Sequence, residues 1–253
     1  MATARPPTFR VLTVNTHKGF RPFPRRFILP ELREAVRATA ADVVFLQEVL
    51  GSHARHSKRV ANWPSVPQYE FLADTIWPDF AYGRNAVYPA GHHGNAVLSR
   101  FPIVEHENLD VSAGAGERRG LLHCVLWLPD WEAELHVICV HFGLTELHRR
   151  GQTALLCDRL EKAVPGTARL VVAGDFNDWR LRAHAAIQQR TSLEEAFAMT
   201  HGQVAKTFPA RLPLLRLDRV YLSNVKPKRA VVLSEHPWSQ LSDHVSLAVE
   251  VGL

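Results

Sequence analysis

Cysteine is scarce in this chain: Cys124, Cys139 and Cys157 form an odd, well-spread set of three with no C-x-x-C pair. That spacing excludes a disulfide framework and a cysteine-built zinc site, and it suits a reducing compartment. Long apolar runs are missing too. No stretch approaches the roughly 18 apolar residues of a membrane span, so no integral membrane segment is expected. Met1 to Arg10, with Pro6 and Pro7, lacks the apolar core of a signal peptide, so the expected location is cytoplasmic. Internal repeats and low-complexity linkers are absent, and no H-E-x-x-H motif or cysteine cluster supports His92-His93 as a transition-metal site.

Charge is not extreme either. Thirty Lys and Arg against 25 Asp and Glu give a net charge of +5, with a pI near 9.4. So mild an excess suits nucleic acid, an anionic phospholipid surface or a small phosphate ester without choosing among them. What the chain does have is apolar mass. At 46% hydrophobic and 22% charged, its 253 residues can bury a full core, and they are expected to form a single domain, 1–253. No obligate protein partner is indicated.

Apolar periodicity places a short strand at Phe9 to Val14, a helix at Glu31 to Thr39 and a strand at Asp42 to Gln47. Further strands are predicted at Gly94–Ser99, Gly120–Leu128, Glu134–Val140, Leu170–Ala173, Leu215–Leu222, Ala230–Ser234 and Val245–Val251. Thr145 to Val164 reads as a helix stopped by Pro165-Gly166, and Leu181 to Arg190 as a shorter one. Crossover and hairpin-like connections are mixed, which fits mixed sheets packed face to face with helices outside better than an all-parallel sheet. Gly51–Gln68 and Asn108–Arg119 lack periodicity and are expected to be loops. The first carries His53, Arg55, His56, Lys58 and Arg59, a basic set read either as a solvated face or as a phosphate contact.

Chemistry-bearing residues gather where strands stop. Val11-Leu12-Thr13-Val14 runs into Asn15, Val43-Val44-Phe45-Leu46 into Gln47-Glu48, and Leu170-Val171-Val172-Ala173 into Gly174-Asp175-Phe176-Asn177. Asp218 falls inside the apolar run Leu215 to Leu222, where an unpaired carboxylate would cost several kcal/mol, so it needs a partner. Ser242-Asp243-His244 precedes the last strand, and a histidine held by a buried aspartate is a common way to fix a tautomer and stabilise an imidazolium. Taken singly, Asp175-Phe176-Asn177 also fits a turn, Glu48 a cap or surface residue and His244 a core histidine. The specific feature is the whole set, in this order, each at a strand end.

Leu46-Gln47-Glu48, Gly94-Asn95-Ala96-Val97-Leu98-Ser99-Arg100, Gly174-Asp175-Phe176-Asn177, Leu217-Asp218-Arg219-Val220 and Ser242-Asp243-His244 together resemble the successive signatures of the endonuclease/exonuclease/phosphatase superfamily. The resemblance spans residues 11 to 250. It implies an α/β (α+β) fold of the DNase I-like kind, a four-layer sandwich of two mixed β-sheets flanked by helices. It also implies a metal-dependent phosphoesterase in which water attacks a phosphodiester or phosphomonoester in line. Glu48 would be the main metal ligand, with Asn15 beside it and Asp243 near the metal or the catalytic imidazole. Such hard oxygen ligands imply Mg²⁺ or Mn²⁺. By the same resemblance Asp175, held by Asn177, would orient or deprotonate the water. Asp218 and His244 would act at the phosphate, either as hydrogen-bond donor or as base. Asn95 and His141 would contact phosphate oxygens, with Arg119 a further phosphate contact.

Asn15 is followed by Thr16-His17-Lys18-Gly19 where abasic-site endonucleases carry a tryptophan, and His141 stands where they lack a histidine. DNase I-like enzymes and sphingomyelinases share that histidine. Small stand-alone bacterial members without a settled substrate resemble this chain more closely. A nuclease-type phosphodiesterase is the first expectation, and a phospholipid or small-molecule phosphodiesterase or phosphatase is the alternative. The six tryptophans are scattered rather than gathered in an amphipathic stripe. A non-catalytic phosphate-binding scaffold is a reading of another class, and the presence of Glu48, Asp175 and His244 together weighs against it.

Overall fold

In the computed structural model, residues 8–21, 25–114 and 118–252 are described. From the N-terminus come β1 (Thr8–Asn15), the short hairpin β2 (Phe20–Arg21) and β3 (Arg26–Phe27), α1 (Leu29–Ala38) and β4 (Val43–His53). Next are α2 (His56–Arg59), α3 (Gln68–Ala73), β5 (Asp79–Tyr88), β6 (Gly91–Ser99), β7 (Ile103–Asp110), β8 (Gly120–Leu128) and β9 (Ala133–His141). The chain continues through α4 (Glu146–Ala163), β10 (Arg169–Asp175), α5 (Arg182–Arg190), β11 (Glu194–Glu195) and α6 (Ala196–His201). It closes with β12 (Asp218–Ser223), β13 (Lys226–Leu233) and β14 (Ser246–Gly252).

Twelve of these strands form two six-stranded sheets, ordered β13-β14-β1-β4-β6-β5 and β11-β12-β10-β9-β8-β7. Each sheet holds one parallel pair at its centre, β1 with β4 and β9 with β10, and antiparallel pairing elsewhere. The inner faces meet through Phe9, Val11 and Phe45 on one side and Leu122, Val137 and Val171 on the other. Alternate residues face outward. Leu12, Val14 and Leu46 pack under Leu32 and Val36 of α1, while Ile138, Val140 and Val172 pack under Leu156 and Leu160 of α4. The central strands are therefore buried on both faces, which explains their unbroken Val- and Leu-rich runs. The result is the expected four-layer α/β sandwich.

Local signals set the helix ends. The Thr145 hydroxyl accepts a hydrogen bond from the His148 N–H at 3.3 Å and starts α4, and Pro165 follows its end. No helix among the described residues is long and apolar enough to cross a membrane.

Of the edge strands, β13 was expected at Ala230–Ser234, whereas β5 and β7 escaped the periodicity reading. β5 and β7 lie at the outer edges of the two sheets, and β7, Ile-Val-Glu-His-Glu-Asn-Leu-Asp, has no fully buried position. The stretch expected as a loop from Asn108 opens as the end of β7, and its residues 115–117 lie outside the described residues, as do Pro6 and Pro7. Part of the expected Gly51–Gln68 loop is ordered too, since β4 runs on to His53 and α2 follows. Asp218 opens its strand instead of lying within it, because Leu215 only bridges back to Phe208 before β12 begins.

Candidate active site

The strand ends do converge, and two backbone distortions aim the acids. In β4 a bulge between Leu46 and Val49 leaves Glu48 at φ +57°, turning its side chain away from the ladder. In β10, Gly174 at φ +143° passes so close to β9 that a Cβ there would lie 2.0 Å from the Val140 carbonyl oxygen, so only glycine fits before Asp175.

Asp175 is buried, and its oxygens are well satisfied. Oδ1 accepts the Asn177 backbone N–H at 2.8 Å, and Oδ2 accepts from Asn15 Nδ2 at 3.3 Å and Asn177 Nδ2 at 3.4 Å. His141 Nε2 lies 3.7 Å and His244 Nε2 3.9 Å from the same oxygen. His244 Nδ1 is 2.8 Å from Asp218 Oδ2, so the partner that Asp218 needs is this imidazole. The Ser242 hydroxyl donates to the Asn15 carbonyl oxygen at 2.7 Å and accepts the His244 N–H at 3.2 Å, tying the last loop to the end of β1.

Electrostatics separate two roles. Burial pushes the Asp175 carboxyl upward; His244 opposes that shift, while Asp218 and Glu48 reinforce it. For His244, burial favours the neutral ring. The Asp218 and Asp175 charges and the Asp218 hydrogen bond outweigh it together and lift the imidazole to about 10. The pair therefore consists of a carboxylate ready to take a proton and a cationic ring that can donate a hydrogen bond.

Glu48 and Asp243 are held differently. Lys18 Nζ lies 3.7 Å from Glu48 Oε2, and His17 Nδ1 lies 3.2 Å from Asp243 Oδ1. The hydrogen bond to Asp243 raises the His17 pKa against the opposing effect of burial. His17 and Lys18 carry positive φ of 44° and 57° in a tight turn that leads straight from Asn15. Sequence reasoning gave neither of them a role, although they follow Asn15 directly.

A hard divalent cation fits this place. The available donors are carboxylate and amide oxygens, and the acids are numerous enough that Glu48 and Asp243 already draw a lysine and a histidine. Among the described residues, Asp175, Asp218 and His244 also bring three potential ligand atoms within 4.8 Å of one another. Two of the three, Asp218 and His244, already share a hydrogen bond.

The residues expected at phosphate differ from the expectation in detail. Asn95 is fully buried, and its amide nitrogen donates to the Gly120 and Cys139 carbonyls at 3.0 and 3.3 Å. Both amide hydrogens are thus engaged, so Asn95 braces the second sheet against the first in place of offering a free donor. Arg119 is also buried, with Nε donating to the Phe142 carbonyl at 3.3 Å, unlike an ordinary strand-flanking surface arginine. A further group, unforeseen from the sequence, is the buried ion pair of Arg219 and Asp178 at 3.3 Å. Asp178 also accepts the Arg182 and His184 N–H groups at the start of α5, fixing the loop after Asn177.

Two packed mixed sheets between helices, with an acid- and histidine-lined rim, define the chain as a four-layer α/β sandwich. Residues 12–244 match the model of the endonuclease/exonuclease/phosphatase family, and the chain belongs to that family. Its members are hydrolases acting on phosphate esters, nucleic acid included, and commonly depend on a divalent metal. The chain is 52% identical over 246 residues to the uncharacterized protein YbhP of Escherichia coli (strain K12), covering 97% of each. Among solved structures it resembles an endonuclease/exonuclease/phosphatase from Beutenbergia cavernae DSM 12333, with TM-score 0.76 and 22% identity over 97% of this chain and 72% of that one. It also resembles D. rerio TDP2 complexed with single strand DNA product, with TM-score 0.73 and 17% identity over 97% and 99% of the two chains. Those structural likenesses establish the DNase I-like fold.

Proposed function

We propose that this chain, folded as one domain over residues 1–253, is a Mg²⁺- or Mn²⁺-dependent phosphodiesterase. The observation that carries the reading is the arrangement of Asp175 beside the His244–Asp218 pair, buried and hydrogen-bonded at the meeting of both sheets. Asp175, fixed by Asn177 and Asn15, orients the attacking water and accepts its proton, a role its raised pKa favours. The water oxygen bonds to phosphorus, one ester P–O bond breaks, and the departing oxygen takes a proton from solvent water, to which Asp175 afterwards returns the proton it accepted. His244, held cationic by Asp218, donates a hydrogen bond to a phosphoryl oxygen as charge builds there. His141 adds a second imidazole near the same Asp175 oxygen.

Glu48, Asn15 and Asp243 would hold the metal, whose contribution when bound is to neutralise charge on the phosphoryl oxygens. Arg119 would contact the phosphate, and Asn95, with both amide hydrogens engaged, braces β8 and β9, the strand that ends in His141. Three free, buried cysteines support a reducing, cytoplasmic setting.

A nuclease-type substrate is supported by the net charge of +5 and by the basic residues after Glu48. A phospholipid head group is a second reading, favoured by exposed leucines on the loops around the site. Hydrolysis of plasmid DNA, single-stranded RNA, phospholipid vesicles and a bis-aryl phosphate with Mg²⁺ or Mn²⁺, beside His244→Ala, tests the proposal. Metal-dependent turnover absent from the variant is expected; a folded protein that turns over none of the four would contradict it.

A further inference from the structure

Six of the thirteen exposed large apolar side chains among the described residues stand on three loops or, for Leu147, on the first turn of the helix that follows one. Leu144 and Leu147 follow β9, Trp179 follows β10, and Leu212, Leu214 and Leu215 precede β12. These loops continue from His141, Asp175 and Asp218. The strand register pairs His141 with Asp175 and Asp175 with Asp218, so the three loops leave the sheet side by side, around the site.

Exposure here is high: 67% for Leu144, 78% for Leu147 and 65% for Leu212, values that no role in the core explains. The loops are also tied together. The Arg149 guanidinium lies 4.7 Å from the Trp179 ring centroid and donates to the Leu144 carbonyl at 2.6 Å.

Charge on the same loops is one-sided. Residues 144–150, 179–182 and 206–216 contain seven arginines and lysines against one acid, Glu146. Glu146 is itself paired with Arg149 at 3.0 Å and lies 3.8 Å from Arg182. Among the basic residues, Arg150, Arg180, Arg182 and Lys206 are exposed. Beneath the third loop, a cleft of about 330 Å³ lined by Phe208, Pro209 and Ala210 opens beside Asp243, with Arg21 and Arg211 on its walls.

Protruding leucines gain nothing against a nucleic-acid backbone, whose protein partners are polar and strongly basic. An anionic bilayer satisfies both features, because apolar tips enter the boundary between head groups and acyl chains while arginine and lysine meet lipid phosphates. We infer that this rim docks on an anionic phospholipid bilayer and that the scissile diester belongs to a lipid head group. The inference rests on the phosphodiesterase reading above. Docking brings the membrane face down over Asp175 and His244, with the cleft beside Asp243 accepting the apolar part next to the head group.

The test is cosedimentation with vesicles of phosphatidylcholine alone or mixed with phosphatidylglycerol, in metal-free buffer, followed by turnover of a soluble bis-aryl phosphate with Mg²⁺. Wild type is expected to bind the mixed vesicles. Leu147→Glu/Leu212→Glu/Leu214→Glu is expected to bind them at least about tenfold more weakly, since each tip loses its apolar insertion, while keeping soluble turnover. Arg150→Gln/Arg180→Gln, which leaves the leucines in place, should lose the preference for anionic lipid. Wild type failing to bind anionic vesicles, or the leucine variant binding as wild type does, overturns the docking surface. Vesicle binding that the leucine substitutions abolish, in a protein with no diester turnover, supports docking and contradicts the catalytic reading instead.

Discussion

The two sheets share one strand pattern and carry different chemistry at the same rim. In the first, the central parallel strands β1 and β4 lead into Asn15 and Glu48; in the second, β9 and β10 end in His141 and Asp175. The neighbouring antiparallel strands correspond as well. β14 follows His244, β12 opens with Asp218, and these matching places meet in a single hydrogen bond of 2.8 Å. What differs is how firmly each acid is held. Asp175 is buried and accepts three hydrogen bonds, whereas Glu48 keeps a side-chain exposure of 21% and has Lys18 Nζ at 3.7 Å. Proton transfer needs a fixed carboxylate, and an exchangeable cation needs an open one. Under the proposed mechanism, sheets with the same strand pattern supply the two kinds of carboxylate that hydrolysis requires.

That contrast can be broken at several points. His244→Ala removes the group joining both sheets and should lower diester turnover by about 10³-fold, within the usual range for a general acid or base, with near-native circular dichroism. Asp178→Ala leaves Arg219 charged and buried in the second sheet, and should cost about 3–5 kcal/mol in urea unfolding.

His123 gives a smaller effect confined to the second sheet. Burial, with Arg159 and His136 beside it, holds its imidazole down at about 4 against an ordinary 6.5. The ring is neutral in the fold, with Arg159 Nε donating to its Nδ1 at 3.1 Å. Between about pH 6.5 and 4 the unfolded chain binds a proton that the folded chain refuses. Stability therefore falls as pH drops through that window, by up to about 3 kcal/mol, and urea unfolding of His123→Gln should show a shallower slope there.

The smallest effect is at the open acid. Lys18→Met should tighten Mg²⁺ binding by no more than about fivefold in calorimetry, because a half-exposed ion pair is worth at most about 1 kcal/mol.

Much of the fold was legible because the central strands are apolar on both faces and stop at polar residues. Val11 to Asn15, Val43 to Glu48 and Leu170 to Asn177 announced both the sheets and the rim. The edge strand β7 was not legible: it is partly exposed along its whole length, and its sequence carries no burial period. In the site, the need of Asp218 for a partner was readable from its apolar flanks, and His244 meets that need. The part played by His17 and Lys18 was not, since it depends on a turn with positive φ that brings them back over Asp243 and Glu48. Nor could scattered leucines and a tryptophan suggest a common surface. Leu147, Trp179 and Leu212 become neighbours of the site only through the pairing of β9, β10 and β12.

The most direct test of this division between the sheets is steady-state hydrolysis of a bis-aryl phosphate, titrated with Mg²⁺, by wild type, Glu48→Gln and Asp175→Asn. Both variants are expected to fall far below wild type at low Mg²⁺. Glu48→Gln should recover part of its rate as Mg²⁺ rises, since it loses affinity for the ion, and Asp175→Asn should recover none. Wild-type turnover by either variant, or equal recovery by both, would contradict the account.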